Sequence, residues 1–320
     1  MNNVLLLAPQ FYNYWSIIEK GLIKKGVHVN TIIYPSSFYY KLVTCFKGLE
    51  WYAFQKKKSF FKKEFSRLCN ITIDTVIIIK SSYIPQECLV QLKQTYPNAR
   101  FVLYLWDELS IDNQEFSNFH LFDRILSFSL HDSKTYGLFY RPMFYNDLIE
   151  YDIHKKNIDL FYIASYKKNR FDFLRNIVTQ AKKQNIHYKF VLRCSLFLFL
   201  KNFRHYKYKS IFDVRGLTYK KMMDMMCQSK CAIEIQHPGQ TGLTTRPIEA
   251  IPTHTKIITT NKNIIQYSLY NKNNILIVDE NNPVIPISWI NLPYIELDDN
   301  IKYFYSLSCF VNDLLNIMEK

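Results

Sequence analysis

Apolar residues in this chain fall into short closed runs, separated by stretches in which they recur at helical spacing. Val4 to Ala8 (V-L-L-L-A) is the first such run, and Trp15 to Lys25 follows as an amphipathic helix that Gly26 would end. Val27 to Ile33 reads as a second strand. Ile73 to Lys80 (I-D-T-V-I-I-I-K) is a β-branched run of the kind buried in parallel sheets. A helix near Pro85 to Tyr96 precedes further strands at Phe101 to Trp106 and Arg124 to Phe128. Strands alternating with helices predict a parallel, doubly wound α/β domain.

The pattern resets around residues 141–158, where Arg141-Pro142-Met143 and a polar stretch read as a connection. A second series follows: strand Ile158 to Ala164, helix Phe171 to Lys183, strand Tyr188 to Arg193, helix Thr218 to Cys227 and strand Lys230 to Ile235. Strands at Lys256 to Thr260 and Asn274 to Val278 complete it, and Asn300 to Lys320 reads as one amphipathic helix. The expected organisation is a domain over 1–150, a second over 151–299 and a terminal helix over 300–320. In doubly wound sheets ligands bind outside the carboxyl ends of the strands, so chemistry is sought in the loops that follow strands.

A length of 320 residues and 48% hydrophobic content supply enough material for two cores. The net charge of +14 points to anionic partners such as nucleotides, lipid headgroups or nucleic acid. The first residues have no basic stretch and too short an apolar run for a signal peptide, and Leu196 to Leu200 is too short to span a bilayer. Seven cysteines at scattered spacings fit reduced thiols in the cytoplasm. Cys227 and Cys231 lack the further ligands of a zinc site and read as core residues. No metal site and no cofactor are expected.

Glu234 to Ala250 reads E-I-Q-H-P-G-Q-T-G-L-T-T-R-P-I-E-A and holds two of the seven glycines. Gly242 would let backbone approach a phosphate, while Gln240, Thr241, Thr244 and Thr245 offer polar groups beside it. Pro247 belongs in the first turn of a short helix. Arg246 would clamp an anion, and Glu249 would accept the hydroxyls of a ribose. The same residues equally describe a tight turn with a threonine cap and a surface Arg–Glu pair. Ser165-Tyr166-Lys167-Lys168-Asn169-Arg170 opens the next helix and offers Ser165, Lys167 and Arg170 to the same anion. Asp107, in Trp106-Asp107-Glu108, ends a strand where a carboxylate could act as a general base; His131-Asp132 is a weaker second pair. Nucleophile elbows, phosphate loops ending in G-K-S/T, HExxH and D-x-D patterns are absent.

Phe54, Phe61, Phe65 and Leu68 recur at helical spacing among Lys56, Lys57, Lys58, Lys62, Lys63 and Arg67. This suits either a core-facing helix with a charged outer face or a helix on an anionic membrane, at about 1 kcal/mol per basic residue near the headgroups. Asn202 to Lys209 is a second basic-aromatic patch. Neither comes with a nucleic-acid-binding module.

Taken together, these landmarks resemble bacterial glycosyltransferases of the GT-B type, of the group-1-like and spore-coat kinds found in lipopolysaccharide-core and capsule synthesis. The likeness rests on Ala8 to Tyr14, Leu103 to Asp107 and Phe122 to Phe128, and most specifically on Q-T-G-L-T-T-R-P-I-E-A followed by Ile257 to Asn261 (I-I-T-T-N). Ser129 departs from it, standing where such proteins tend to carry Asp. The resemblance implies two Rossmann-like domains facing across a cleft, with the final helix returning to the first. It implies that Thr241, Gly242 and Arg246 hold a nucleotide diphosphate, that Glu249 holds the ribose, and that Ser165 to Arg170 border the phosphates. The expected function is metal-independent sugar transfer from a nucleotide-sugar donor to a glycan or glycolipid acceptor at the inner face of the cytoplasmic membrane, with Asp107 as base and no nucleic acid partner. Competing expectations are a non-catalytic basic protein binding membranes or nucleic acid, and a GT-B nucleotide-sugar epimerase.

Overall fold

The computed structural model describes residues 2–11, 13–35, 50–153, 156–201, 208, 210–215, 217–237 and 239–317. The chain forms two compact units. The first comprises Met1–Met143, Gly239–Gly242 and Leu307–Lys320; the second comprises Phe144–Pro238 and Leu243–Ser306.

The first unit is built on strands β1 (Asn3–Pro9), β2 (His28–Tyr34), β3 (Thr75–Ile79), β4 (Arg100–Leu105), β5 (Arg124–Ser127) and β6 (Phe139–Tyr140). They pair in the order β2-β1-β3-β4-β5-β6, every pair parallel. Leu5, Leu7, Val76, Ile78, Phe101 and Leu103 are buried in one core, and Leu6, Ile77 and Val102 are buried between them along the strands. Both faces of these central strands are therefore covered, which is why they appear as unbroken apolar runs. Each such side chain contributes about 1.5–3 kcal/mol of transfer free energy, set against the entropy of ordering the chain.

The second unit repeats the plan with β7 (Ile158–Ser165), β8 (Tyr188–Arg193), β9 (Phe212–Asp213), β10 (Ser229–Glu234), β11 (Lys256–Thr259) and β12 (Ile275–Ile277). Their order is β12-β11-β10-β7-β8-β9, again with every pair parallel. Leu160, Phe190, Ile233 and Ile258 from the strands pack with Phe171, Leu174, Ile177 and Val178 of the helix Lys168–Lys183. The doubly wound, parallel α/β architecture expected of both halves is observed. In each sheet the order reverses at one place, between β1 and β3 in the first and between β7 and β10 in the second. The loops after those strands border the crevice where ligands of such sheets bind.

One open alternative is resolved and two expectations are corrected. The helix Glu50–Ser66 turns Ala53, Phe61 and Phe65 into the first unit's core, with Leu68 packed against that core, so the stripe of helical spacing faces protein. Phe54 alone of that stripe is exposed. The run from Asn300 onward forms two helices, Asp299–Phe304 and Leu307–Leu315, parted at Tyr305–Ser306. There the Tyr145 N–H donates to the Tyr305 carbonyl at 2.9 Å, and Tyr145 and Ser306 form an isolated parallel bridge. The helix after β7 starts at Lys168, three residues before the expected Phe171, so Arg170 lies in its first turn. Of the patch at 202–209 only Tyr208 is described, and the rest lies outside the described residues.

Within the first unit, Leu307, Phe310, Val311 and Leu314 of Leu307–Leu315 are buried, and Phe310 meets Tyr104 edge-on at 4.8 Å. Gly21 of the helix Tyr14–Lys24 makes this packing feasible. A methyl there would stand 3.0 Å from Leu307 and Val311 side-chain atoms. Arg141, nearly fully buried, adds an ion pair to Asp313 at 2.6 Å.

Candidate functional site

In the second unit, the loops bordering the β7/β10 crevice bring together two arginines and a buried carboxylate. Ser165 is the last residue of β7, and Lys167 is the residue preceding the helix Lys168–Lys183. That helix has no acidic residue in its first turn, so the basic residues there add to the positive end of its dipole. Arg170 is fixed by donating to the Ser165 carbonyl at 3.1 Å. Partial burial, with the Arg170 charge second, holds the Lys167 ammonium below the ordinary lysine pKa.

Glu234, the last residue of β10, is buried. Its carboxylate accepts from the Thr259 hydroxyl and, at 3.3 Å, from the Thr244 hydroxyl. Burial raises its pKa. Those hydroxyls and the charges of Arg246 and Arg170 pull the other way. Burial also raises the Tyr162 hydroxyl, while the charges of Arg170, Glu234 and Arg246 all act on it. Arg170 and Arg246 lie in the helices that follow the parallel strands β7 and β10, and so belong to the same end of the sheet.

Arg246 sits in the short helix Thr245–Glu249 and pairs with Glu249 at 2.8 Å. Its guanidinium also lies 3.1 Å from the sulfurs of Met222 and Met226. The Arg246 side chain is 14% exposed and Glu249 only 1%. The pair is thus buried, unlike the surface pair of the tight-turn reading, and in this state Glu249 turns toward Arg246.

In the first unit, polar groups gather at the carboxyl ends of β3, β4 and β5. Lys80 follows β3 with a left-handed backbone (φ 67°) and pairs with Asp107, and with Asp112 at 3.0 Å. Burial opposes its charge, but Asp107 and Asp112 outweigh that and hold the ammonium above the ordinary lysine pKa. Asp107, at 41% side-chain exposure, is oriented by this cation and still reaches solvent. Below it, Glu115 accepts from the Ser81 N–H and Ser82 N–H at 3.1 Å each.

Glu108 points elsewhere and is 2% exposed. Its Oε1 accepts from the Thr241 N–H at 2.8 Å, the Thr241 hydroxyl at 2.8 Å and the Gly242 N–H at 2.6 Å. Ser129 caps the helix Leu130–Tyr136 and donates to the same oxygen at 3.3 Å. The segment holding Gln240, Thr241 and Gly242 groups with the first unit, whereas Ser165, Lys167, Arg170, Arg246 and Glu249 group with the second. The amides expected to face a phosphate are here engaged by a protein carboxylate. His131 is exposed and 3.6 Å from Asp132, whose buried carboxylate accepts from the Leu109 N–H at 2.9 Å.

Sequence reasoning passed over Lys80, Glu108 and Glu234. Lys80 and Glu234 had a signal, a charged residue abutting apolar strand positions where burial without a partner would be costly; Glu108, set off from β4 by Trp106 and Asp107, had none. Among the described residues no group of three or more His, Cys, Asp or Glu side chains is placed to hold a metal ion, and no helix is long and apolar enough to cross a membrane.

No protein-family model and no curated protein matches the chain. Solved structures share its fold. An α-glucosyltransferase in complex with UDP and a mismatched 13-mer DNA superposes with a TM-score of 0.64 at 13% identity, covering 99% of both chains. A glycosyltransferase involved in avilamycin A biosynthesis gives 0.59 at 8% identity over 99% of this chain and 96% of the other. The UDP-GlcNAc 2-epimerase of Methanocaldococcus jannaschii gives 0.58 at 9% identity over 98% and 99%. The architecture is that of the GT-B fold, with two Rossmann-like domains.

Proposed function

We propose that the chain is a GT-B glycosyltransferase that takes a sugar from a nucleotide-activated donor and passes it to an acceptor hydroxyl. The observation that carries this reading is the placement of Arg170, in the first turn of the helix after β7, and of Arg246, in the short helix after β10, at the carboxyl ends of neighbouring parallel strands, where both charges act on the buried Glu234. In this reading the two guanidinium groups and Lys167 balance the charge of the leaving diphosphate, so that a metal ion is not needed. Ser165 and Gln240 border the phosphates. Glu249 reaches the ribose when the donor draws Arg246 toward its phosphates. Asp107, held by Lys80, takes the proton of the acceptor hydroxyl. The acceptor is a cell-surface glycan or glycolipid of the lipopolysaccharide-core, O-antigen or capsule kind, met at the inner face of the cytoplasmic membrane.

The likeness to a UDP-GlcNAc 2-epimerase favours one second reading, inversion of the sugar of a nucleotide-sugar with no acceptor. Incubation with UDP-, GDP-, ADP- and CDP-sugars separates the two. Transfer releases nucleotide in proportion to added acceptor, while epimerisation gives an isomeric nucleotide-sugar from donor alone. If no nucleotide-sugar is consumed in the presence of oligosaccharide acceptors, the transferase reading is wrong.

A further inference from the structure

We propose that Glu108 is a positioning residue for the Gln240–Ala250 loop, a role that rests on the donor-binding reading above. All four of its hydrogen bonds described above, from the Thr241 N–H, the Thr241 hydroxyl, the Gly242 N–H and the Ser129 hydroxyl, fall on Oε1. Two consecutive backbone amides converging on one oxygen form a small anion cradle, and Glu108 fills it from within the protein. The cradle is therefore already satisfied, and the diphosphate is left to the cationic side chains Arg170, Lys167 and Arg246. What Glu108 supplies is a fixed backbone at Thr241 and Gly242, the latter four residues before Arg246 in the sequence.

The glycine belongs to the same device. Gly242 has no left-handed φ, so its backbone suits any residue. What it lacks is room: a Cβ there would stand 2.8 Å from Cε2 of Phe128 and 3.2 Å from Glu108 Oε1. Glycine at this position lets the Gly242 amide approach the carboxylate. Ser129 completes the arrangement, capping its own helix while touching the same oxygen.

The bonding pattern makes a sharp distinction between two substitutions. Glu108→Gln keeps a carbonyl oxygen where Oε1 lies and places its amide nitrogen at Oε2, so the cradle stays filled. Glu108→Ala empties it. The test is hydrogen–deuterium exchange over residues 239–244, paired with calorimetric titration of UDP, GDP, ADP and CDP. We expect faster exchange there in Glu108→Ala, a fall in nucleoside diphosphate affinity of about tenfold or more, and recovery of most of both in Glu108→Gln. Unchanged exchange in Glu108→Ala overturns the proposal, as does equal damage from both variants. Tighter diphosphate binding by Glu108→Ala would make Glu108 a competitor of the ligand and also overturns it. A wild-type chain that binds none of the four diphosphates refutes the donor reading and the positioning role together; binding unaffected by Glu108→Ala refutes the role alone.

Discussion

Substituting Arg246 by alanine tests donor binding, and the structure shows that it also tests stability. The guanidinium is 2.8 Å from a Glu249 oxygen, with side-chain exposures of 14% and 1%. Removing the arginine takes the cation from a buried carboxylate, a change that costs about 3–5 kcal/mol where such pairs are broken from one side. The stem also leaves its place beside Met222 and Met226, adding a packing loss. Against a typical total of about 5–15 kcal/mol for a domain, the second unit would lose a large share of its margin. The assay is urea unfolding followed by circular dichroism, on Arg246→Ala, Glu249→Gln and the double variant. The expected result is a loss of about 3 kcal/mol or more in Arg246→Ala, with the double variant regaining a substantial part because no buried charge is stranded. If Arg246→Ala costs less than about 1 kcal/mol, as exposed pairs do, Glu249 is hydrated and the buried-pair account is wrong. Nucleotide binding is therefore better probed with Arg246→Lys, which retains a cation.

Other consequences can be measured separately. Gly242→Ala should cost about 1–3 kcal/mol through its contacts with Phe128 and Glu108; a thermal unfolding midpoint equal to wild type would contradict the crowding. Lys156 donates to the Thr253 carbonyl at 2.5 Å and the Thr255 hydroxyl at 3.2 Å, and burial lowers its pKa to about 8. A lowered lysine binds fewer protons folded than unfolded, so stability should rise as pH goes from about 8 toward the ordinary lysine value. The full gain is about 3 kcal/mol, or about 2 kcal/mol once partial solvent access is allowed for. Lys156→Met should flatten that slope, and an unchanged slope in denaturant titrations across this range would refute the assignment. Glu234 has the opposite sign. Its raised carboxyl pKa contributes stability that is present below the unfolded glutamate range and is lost as pH rises through the folded value. Glu234→Gln should remove that loss, and a variant with the wild-type pH dependence would show that another group is responsible.

The repeated alternation of closed apolar runs and amphipathic stretches was enough to read both doubly wound sheets, because strands buried on both faces leave no polar positions to obscure them. Of the edge strands, β2 and β12 were legible, while β6 and β9 were not. Phe139–Tyr140 and Phe212–Asp213 are two residues long, and parallel pairing with β5 and β8 defines them more than composition does. The stripe of Phe61 and Phe65 shows the limit of periodicity, which marks an apolar face without saying whether protein or lipid covers it. The loop from Gln240 was legible as an anion site, since glycine, threonine and consecutive amides are suited to one. That Glu108 would fill it depends on a pairing across more than a hundred positions of sequence, which no local pattern carries. Arg246 and Glu249 were readable as a pair at helical spacing, but their burial depends on Met222 and Met226.

The central claim, that the β7/β10 crevice binds a nucleoside diphosphate, is tested most directly by calorimetric titration of the chain with UDP, GDP, ADP and CDP alongside the corresponding nucleosides. The account predicts saturable binding of at least one diphosphate, no measurable binding of its nucleoside, and a loss of about tenfold or more in affinity when Arg170 is replaced by alanine. Equal binding of nucleoside and diphosphate, or a diphosphate affinity untouched by Arg170→Ala, would contradict it.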